Sequence, residues 1–357
     1  MNCTVIQCFA IPAFLLILLL PRAAVAQTDS PEFREGAGVD PKLEALYEKG
    51  IKYLIREQEA GTWGKESGSH ACGTASLCVM AFMSTGEDPN YGKYADNIRR
   101  GLRFIILNQD SKTGYIPNNM YNHGFAMLAL TEAYGAVDDE LLWEDAPDAP
   151  NKRTVGQALE LAVRLTLTAQ KKNSEDGWRY GPDSTDADTS VAGTVLMGLF
   201  GARNAGIAVP DESIDRALEY FKRCTDKDGY VIYGAEGLGF PGARIAIANL
   251  VFAIGKRKHW SQWKATTDYL VKDLLEGNDK SSGYTMYIRY YEAQALFQSD
   301  FEAWKKWNRK LIDQLSKYQS PDGGLTLERN KRSNVLKTSM LLLTAALNYR
   351  FLPIYER

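Results

Sequence analysis

Two aspartates, two histidines and a cysteine stand where chemistry could be done. Asp186 and Asp188 lie in Thr185-Asp186-Ala187-Asp188-Thr189-Ser190-Val191, just ahead of an apolar run. A carboxyl that holds its proton at neutral pH is a Brønsted acid, and Asp188, with Asp186 nearby, is the catalytic candidate. The same position suits a helix cap, in which an ionised carboxylate accepts backbone N–H groups. His70, Cys72 and His123 are a chemically reasonable zinc set, to which Asp188 would add a fourth ligand. No metal is favoured and no cofactor is required, with zinc as the alternative. Arg244 and Lys337 are suited to an anionic head group, and Tyr121 and Tyr287 to shielding an apolar chain. A further reading casts Tyr287, His123 and Arg244 as proton shuttle, base and carboxylate neutraliser of a polysaccharide lyase.

What positions these residues is a repeat of about 45 to 60 residues. Each unit opens with an amphipathic helix anchored by Tyr53, Phe104, Leu165, Tyr220 or Tyr269, and a sixth surrounds Leu311 and Leu315. Glycine-bearing turns follow: Gly61-Thr62-Trp63, Gly114-Tyr115, Gly177-Trp178, Gly229-Tyr230, Gly283-Tyr284 and Gly323-Gly324-Leu325. A second helix then runs apolar on nearly all sides, from Gly73, Gly124, Ser190, Arg244, Tyr287 and Lys337. An all-round apolar helix is a buried one. Six such hairpins predict an all-α (α/α)6 toroid, with the second helices as inner ring and the first as outer ring. Closure is expected because neither end offers the polar capping repeat that an open solenoid needs.

Aligned on their starts, the inner helices bring Cys72, Gly124, Ser190, Arg244, Tyr287 and Lys337 to one mouth, with His70, Asn122 and Asp188 two residues earlier. Converging helix N-termini carry partial positive charge and favour a carboxylate or diphosphate above an apolar hollow. The expected partner is an apolar or amphiphilic small molecule; a protein partner is the alternative. Cys72, at a helix N-terminus, is expected to have a lowered pKa.

Composition narrows the rest. With 42 Lys and Arg against 44 Asp and Glu in 357 residues, the chain has no basic excess for a nucleic acid. An apolar run from Phe9 to Leu20 leading into Ala24-Val25-Ala26 reads as a signal peptide over 1–26, hence secreted or periplasmic. Residues 27–42 read as a flexible spacer and 43–357 as one toroid domain. Cys72 and Cys78 are about 9 Å apart along one helix axis, so no disulfide is expected between them. The cluster Lys256-Arg257-Lys258-His259 is thin support for membrane contact and more simply complements a helix C-terminus.

The first repeat, Lys49-Gly50-Ile51-Lys52-Tyr53-Leu54 with Gln58 and Gly61-Thr62-Trp63, resembles the QW repeat of squalene and oxidosqualene cyclases. Gln109, Gln170 and Gln319 hold similar places, whereas Thr225 replaces the Gln of the fourth repeat. The resemblance extends over the chain after the signal and implies a single-ring relative of the terpenoid cyclase and protein prenyltransferase superfamily. It implies that the Gln braces one repeat against the next, and that an isoprenoid or lipid-like ligand is bound or transformed. Thr185–Val191 resembles the Asp-x-Asp-Asp-Thr-Ala segment of squalene-hopene cyclases, whose middle Asp protonates the polyene. Aligned on Thr-Ser-Val, Ala187 stands in the donor's place. Protein prenyltransferases use Asp, Cys and His on the same fold, and His70-x-Cys72 departs from their pattern. Cys72-Gly73-Thr74-Ala75 lacks the Gln of complement-type thioester domains. A non-catalytic binding scaffold, a zinc-dependent transferase and a polysaccharide lyase are the alternatives.

Overall fold

Asp40 starts the helical fold: its carboxylate accepts from the Lys42 N–H at 2.9 Å, and Pro41 takes the first helical position, where an N–H would have no partner. The expected spacer over 27–42 therefore gives way at Asp40. The computed structural model describes residues 40–59, 61–63, 68–233, 241–277, 284–326, 334–349 and 352. The expected signal peptide and nearly all of the spacer lie outside them, as does Gly283. No helix among the described residues is long and apolar enough to cross a membrane.

The chain runs as pairs: α1 (Pro41–Glu57) and α2 (Ala71–Met83), α3 (Ala95–Asn108) and α4 (Met120–Ala133), α5 (Val155–Lys172) and α6 (Thr189–Asn204), α7 (Asp211–Arg223) and α8 (Pro241–Ile254), α9 (Ser261–Leu275) and α10 (Thr285–Ser299), α11 (Phe301–Tyr318) and α12 (Asn334–Ala346). Odd helices bury one stripe, as α7 does with Ile214, Ala217, Leu218 and Phe221 while Asp211, Glu212 and Arg223 face water. Even helices are enclosed far more completely; every residue of α6 from Thr189 to Ala202 is buried. The even helices pack in succession from α2 through α4, α6, α8 and α10 to α12, and α12 packs back on α2. The inner layer therefore closes on itself, and α1 completes the outer layer against α11 and α12.

Four glutamines stitch the outer layer. Each ends an odd helix and donates from Nε2 to a carbonyl of the next: Gln58 to Asn97 O at 3.0 Å, Gln109 to Ala158 O, Gln170 to Ser213 O and Gln319 to Leu46 O, the last three at 2.9 Å. Thr225 breaks the series, because its short hydroxyl reaches only Phe221 O of its own helix. The turn glycines make a second contact across the same seam. Gly114, at φ +81°, lies so close to Leu161 O that an added Cβ would come within 2.3 Å of it. In the third repeat Asp176 takes the left-handed conformation instead, at φ +64°. Trp63 and Trp178 fill the wedge behind these turns, donating from Nε1 to Leu54 O and Thr166 O.

The insert before α5 folds over Trp143, which is buried and donates to Arg153 O at 2.8 Å. Cys72, Cys78 and Cys224 are buried and unbridged. Tight backbone seams and all-round apolar inner helices account for the stability of a ring with no disulfide among its described residues.

Candidate functional site

The loop before α4 carries Asn118 at φ +83° and Asn119 in extended conformation, and the side-chain Oδ1 of Asn119 caps the helix by accepting from Asn122 N at 3.0 Å. Met120 N donates to Tyr180 O at 2.9 Å, tying the third repeat's turn to the start of α4. Between these loops and the first turns of α2, α10 and α12 lies a cavity of about 290 Å³. Its deep side is apolar, formed by the buried Leu77, Phe125, Met286 and Met340. The entrance carries the exposed His70, Tyr180 and Tyr284, with Asn119, Asn122, Tyr121, Tyr287 and Lys337 between.

One wall is a run of tyrosines. Tyr121 packs against Tyr180 and edge-on against Tyr287, each at 6.1 Å between centroids. The run continues from Tyr287 to Tyr291 at 5.0 Å and on to Tyr290 at 4.9 Å. Tyr291 exchanges a 2.8 Å hydrogen bond with Thr194 of α6. Burial raises the pKa of Tyr121, Tyr287, Tyr290 and Tyr291, so these phenols stay neutral. The described lining of the cavity comes from α2, α4, α10 and α12 together with Tyr180, and it is of mixed polarity rather than the wholly apolar hollow expected.

Of the residues singled out in the sequence, His70, Tyr121, Tyr287 and Lys337 line this cavity. His123 does not. It points away onto α5, with Nδ1 accepting from Ile116 N at 3.1 Å and Nε2 facing Ala162 O and Thr166 Oγ1. Those partners fix the Nε2–H tautomer, and burial lowers its pKa to about 4, so it is a neutral brace. Cys72 is buried, and desolvation raises its pKa to about 12, outweighing the helix N-terminus that was expected to lower it. The zinc set His70, Cys72 and His123 is therefore not assembled, and no group of three metal-binding side chains occurs among the described residues.

Asp188 is fully buried, capping α6 through Oδ1, which accepts from Ser190 N at 2.7 Å and Val191 N at 3.2 Å. Its Oδ2 is buried outside hydrogen-bonding geometry, and the carboxylate lies near enough to Tyr233, Tyr121 and Tyr287 to help raise the pKa of each. Asp186 is exposed and paired with Arg179. Arg244 is buried, with its guanidinium over the rings of Tyr230 and Tyr233 at 5.9 and 5.8 Å. The lyase trio of Tyr287, His123 and Arg244 is thus not gathered either, because His123 faces α5. Tyr180, Tyr284, Asn119 and Phe125 were missed. The first three sit in turns or at a helix edge where no periodicity marks a direction, and Phe125 reads as ordinary inner-helix filling.

No family model matches the chain, and no curated protein matches it by sequence. Solved structures do match in shape. A variant of the type II terpene cyclase MstE from Scytonema, bound to the product merosterolic acid A, superposes with a TM-score of 0.58 at 13% identity, covering 86% of this chain and 96% of that one. Another variant of that cyclase, bound to its substrate geranylgeranyl dihydroxybenzoate, gives 0.58 at 14% identity over 87% and 98%. An inactive variant of an α-1,6-mannanase of Salegentibacter sp., in complex with α-1,6-mannotetrose, gives 0.60 at 12% identity over 87% and 100%. Likeness at such low identity establishes the fold, an α/α toroid of the kind shared by terpenoid cyclases and these mannanases.

Proposed function

We propose that the cavity at the mouth of the toroid binds a small amphiphilic molecule, with the polar end at the Tyr180–Tyr284 entrance and the apolar end against Leu77, Phe125 and Met340. One observation carries this reading: polarity is graded along the cavity, from exposed phenols and an imidazole to buried aliphatic and aromatic carbon. At about 290 Å³ it lies at the low end of ligand pockets, which run from ~300 to ~1,000 Å³. A short isoprenoid or lipid-like molecule suits it better than a triterpene. The cyclase neighbours hold geranylgeranyl dihydroxybenzoate and merosterolic acid A on this fold, which supports an apolar or amphiphilic ligand. Glycoside cleavage finds less support, since it uses a pair of carboxyl groups and the cavity has no Asp or Glu among its described lining. If the segment over 1–26 directs export, binding takes place outside the cytoplasm.

The test uses the purified chain and the neutral probe N-phenyl-1-naphthylamine, whose fluorescence rises in an apolar site. Saturable binding of one probe is expected, and it should vanish in Leu336→Trp, where an indole on the half-buried lining position fills the space. Extraction and mass spectrometry of protein from its expression host would then identify a retained ligand. Absence of saturable binding, or binding untouched by Leu336→Trp, would favour an interaction scaffold.

A further inference from the structure

We infer that α9 is a strap that opens as a unit while the rest of the ring stays folded, because both of its outer seams lack the glutamine brace and Asn249 of the inner layer pins it instead. What the mouth cavity holds has no bearing on this. Three braced seams share one register. The carbonyl that accepts from the glutamine lies three residues before the carbonyl that a Cβ on the turn glycine would strike: Asn97 and Arg100 for Gly61, Ala158 and Leu161 for Gly114, Leu46 and Lys49 for Gly323. Gly229 faces Ala265 O in the same way, so the matching acceptor on α9 is Gln262 O. Thr225 cannot supply it, since its hydroxyl bonds to Phe221 O, and Gln262 O accepts instead from Thr266 Oγ1 of its own helix at 2.9 Å. At the other end of α9 the cap is Glu276, whose side chain has no N–H to donate toward α11.

Burial holds α9 weakly as well. Three of its 15 residues, Thr266, Leu270 and Leu274, are buried, against six of 13 in α7 and seven of 18 in α11. Among the described residues, every hydrogen bond between α9 and another helix comes from Asn249 of α8. Its Nδ2 donates to Thr267 Oγ1 at 2.8 Å and Thr266 Oγ1 at 3.1 Å, and lies 3.4 Å from Trp263 O. Asn249 is fully buried and its Oδ1 accepts from Ser299 Oγ of α10, so the pin is anchored in the inner layer and stays there when α9 lifts. A segment with few buried side chains and few bonds to its neighbours opens at a free energy well below that of global unfolding. Lifting α9 bares the flanks of α8 and α10 on which it packs and leaves the inner layer closed.

Hydrogen exchange of the full chain, followed by mass spectrometry with and without low urea, tests the strap. Amides in the middle of α9 should exchange about tenfold faster than those of α7 and α11, the upper worth of one hydrogen bond. Their exchange should barely respond to low urea, because a local opening exposes little surface, whereas that of the inner helices should climb. Thr225 occupies the same turn frame as Gln319, bridging to Val231 as Gln319 bridges to Leu325. Thr225→Gln should therefore reach Gln262 O and slow α9 exchange by about tenfold, with Thr266 Oγ1 keeping its bond to Trp263 O at 2.9 Å. Asn249→Leu should speed α9 exchange further and leave α2 and α4 little changed. Equal exchange in α7, α9 and α11, or the urea response of the inner helices in α9, would overturn the inference. So would a folded Thr225→Gln in which α9 exchanges no more slowly. Should Asn249→Leu fail to fold, the unsubstituted chain and Thr225→Gln decide.

Discussion

Gln319 donates from Nε2 to the backbone carbonyl of Leu46, 2.9 Å away and 273 residues earlier in the chain, and also to Gly323 O at 3.1 Å. One side chain thereby satisfies two carbonyls at the junction between the last outer helix and the first. Gln109 and Gln170 make the same pair of bonds at their own seams.

Removing this side chain should destabilise the whole ring. Gln319→Ala leaves two partly buried acceptors without the amide, and a cost of about 2 kcal/mol is expected. Equilibrium denaturation in urea measures it. A loss below about 0.5 kcal/mol, the lower limit for one typical hydrogen bond, would show that water replaces the amide freely and that the seam is held by packing alone.

Gly114 and Gly135 share a left-handed backbone, at φ +81° and +79°, but differ in surroundings. Around Gly135 there is open space, whereas a Cβ at Gly114 would strike the backbone of α5. Gly135→Ala should cost about 1 to 2 kcal/mol from conformation alone. Gly114→Ala should cost clearly more and shift α5 against the preceding turn. Thermal unfolding of both variants checks the order, and equal losses would mean that the seam relaxes without cost.

Acid should weaken the fold through His123. Its pKa is near 4 when folded and about 6.5 in an unfolded chain, so between those values the unfolded state binds the extra proton. Stability from this group is intact above pH 6.5 and falls as the pH drops toward 4, by about 2 kcal/mol between pH 7 and pH 5. His123→Gln should be less stable at neutral pH and show a flatter slope over that interval. An unchanged slope would assign the acid sensitivity to other groups.

The thiols of the described residues, Cys72, Cys78 and Cys224, should be silent in the native state. Cys72 has its pKa raised to about 12, and burial raises those of Cys78 and Cys224 as well. Labelling by a disulfide reagent at pH 8 should therefore proceed at the rate of unfolding and accelerate in denaturant. Rapid labelling of one equivalent at Cys72 in native buffer would contradict this.

The sequence disclosed more of the architecture than of the site, for a geometric reason. Inner helices announce themselves because a helix apolar on every side, such as Val191–Phe200, has nowhere to go but between others. Lys337, Tyr287 and Tyr121 were found because helix starts converge at the mouth. Direction was harder to read. Each residue along a helix turns by about 100°, so His123, next to the cavity-lining Asn122, faces α5. Cys72 and Gly73 part in the same way, only Gly73 reaching the lining. The mixed polarity of the cavity was illegible because it depends on how the turn residue Tyr180 meets Tyr121 and how Tyr121 meets Tyr287, and no spacing rule records that.

The contact of α12 with α2 bears on how the protein is made. During synthesis the early hairpins emerge long before their final neighbour, and the flank of α2 destined for α12 must wait until the chain has been extended past residue 346. Until then an apolar edge stays open to solvent, and the last hairpin acts as a keystone whose arrival ends that exposure.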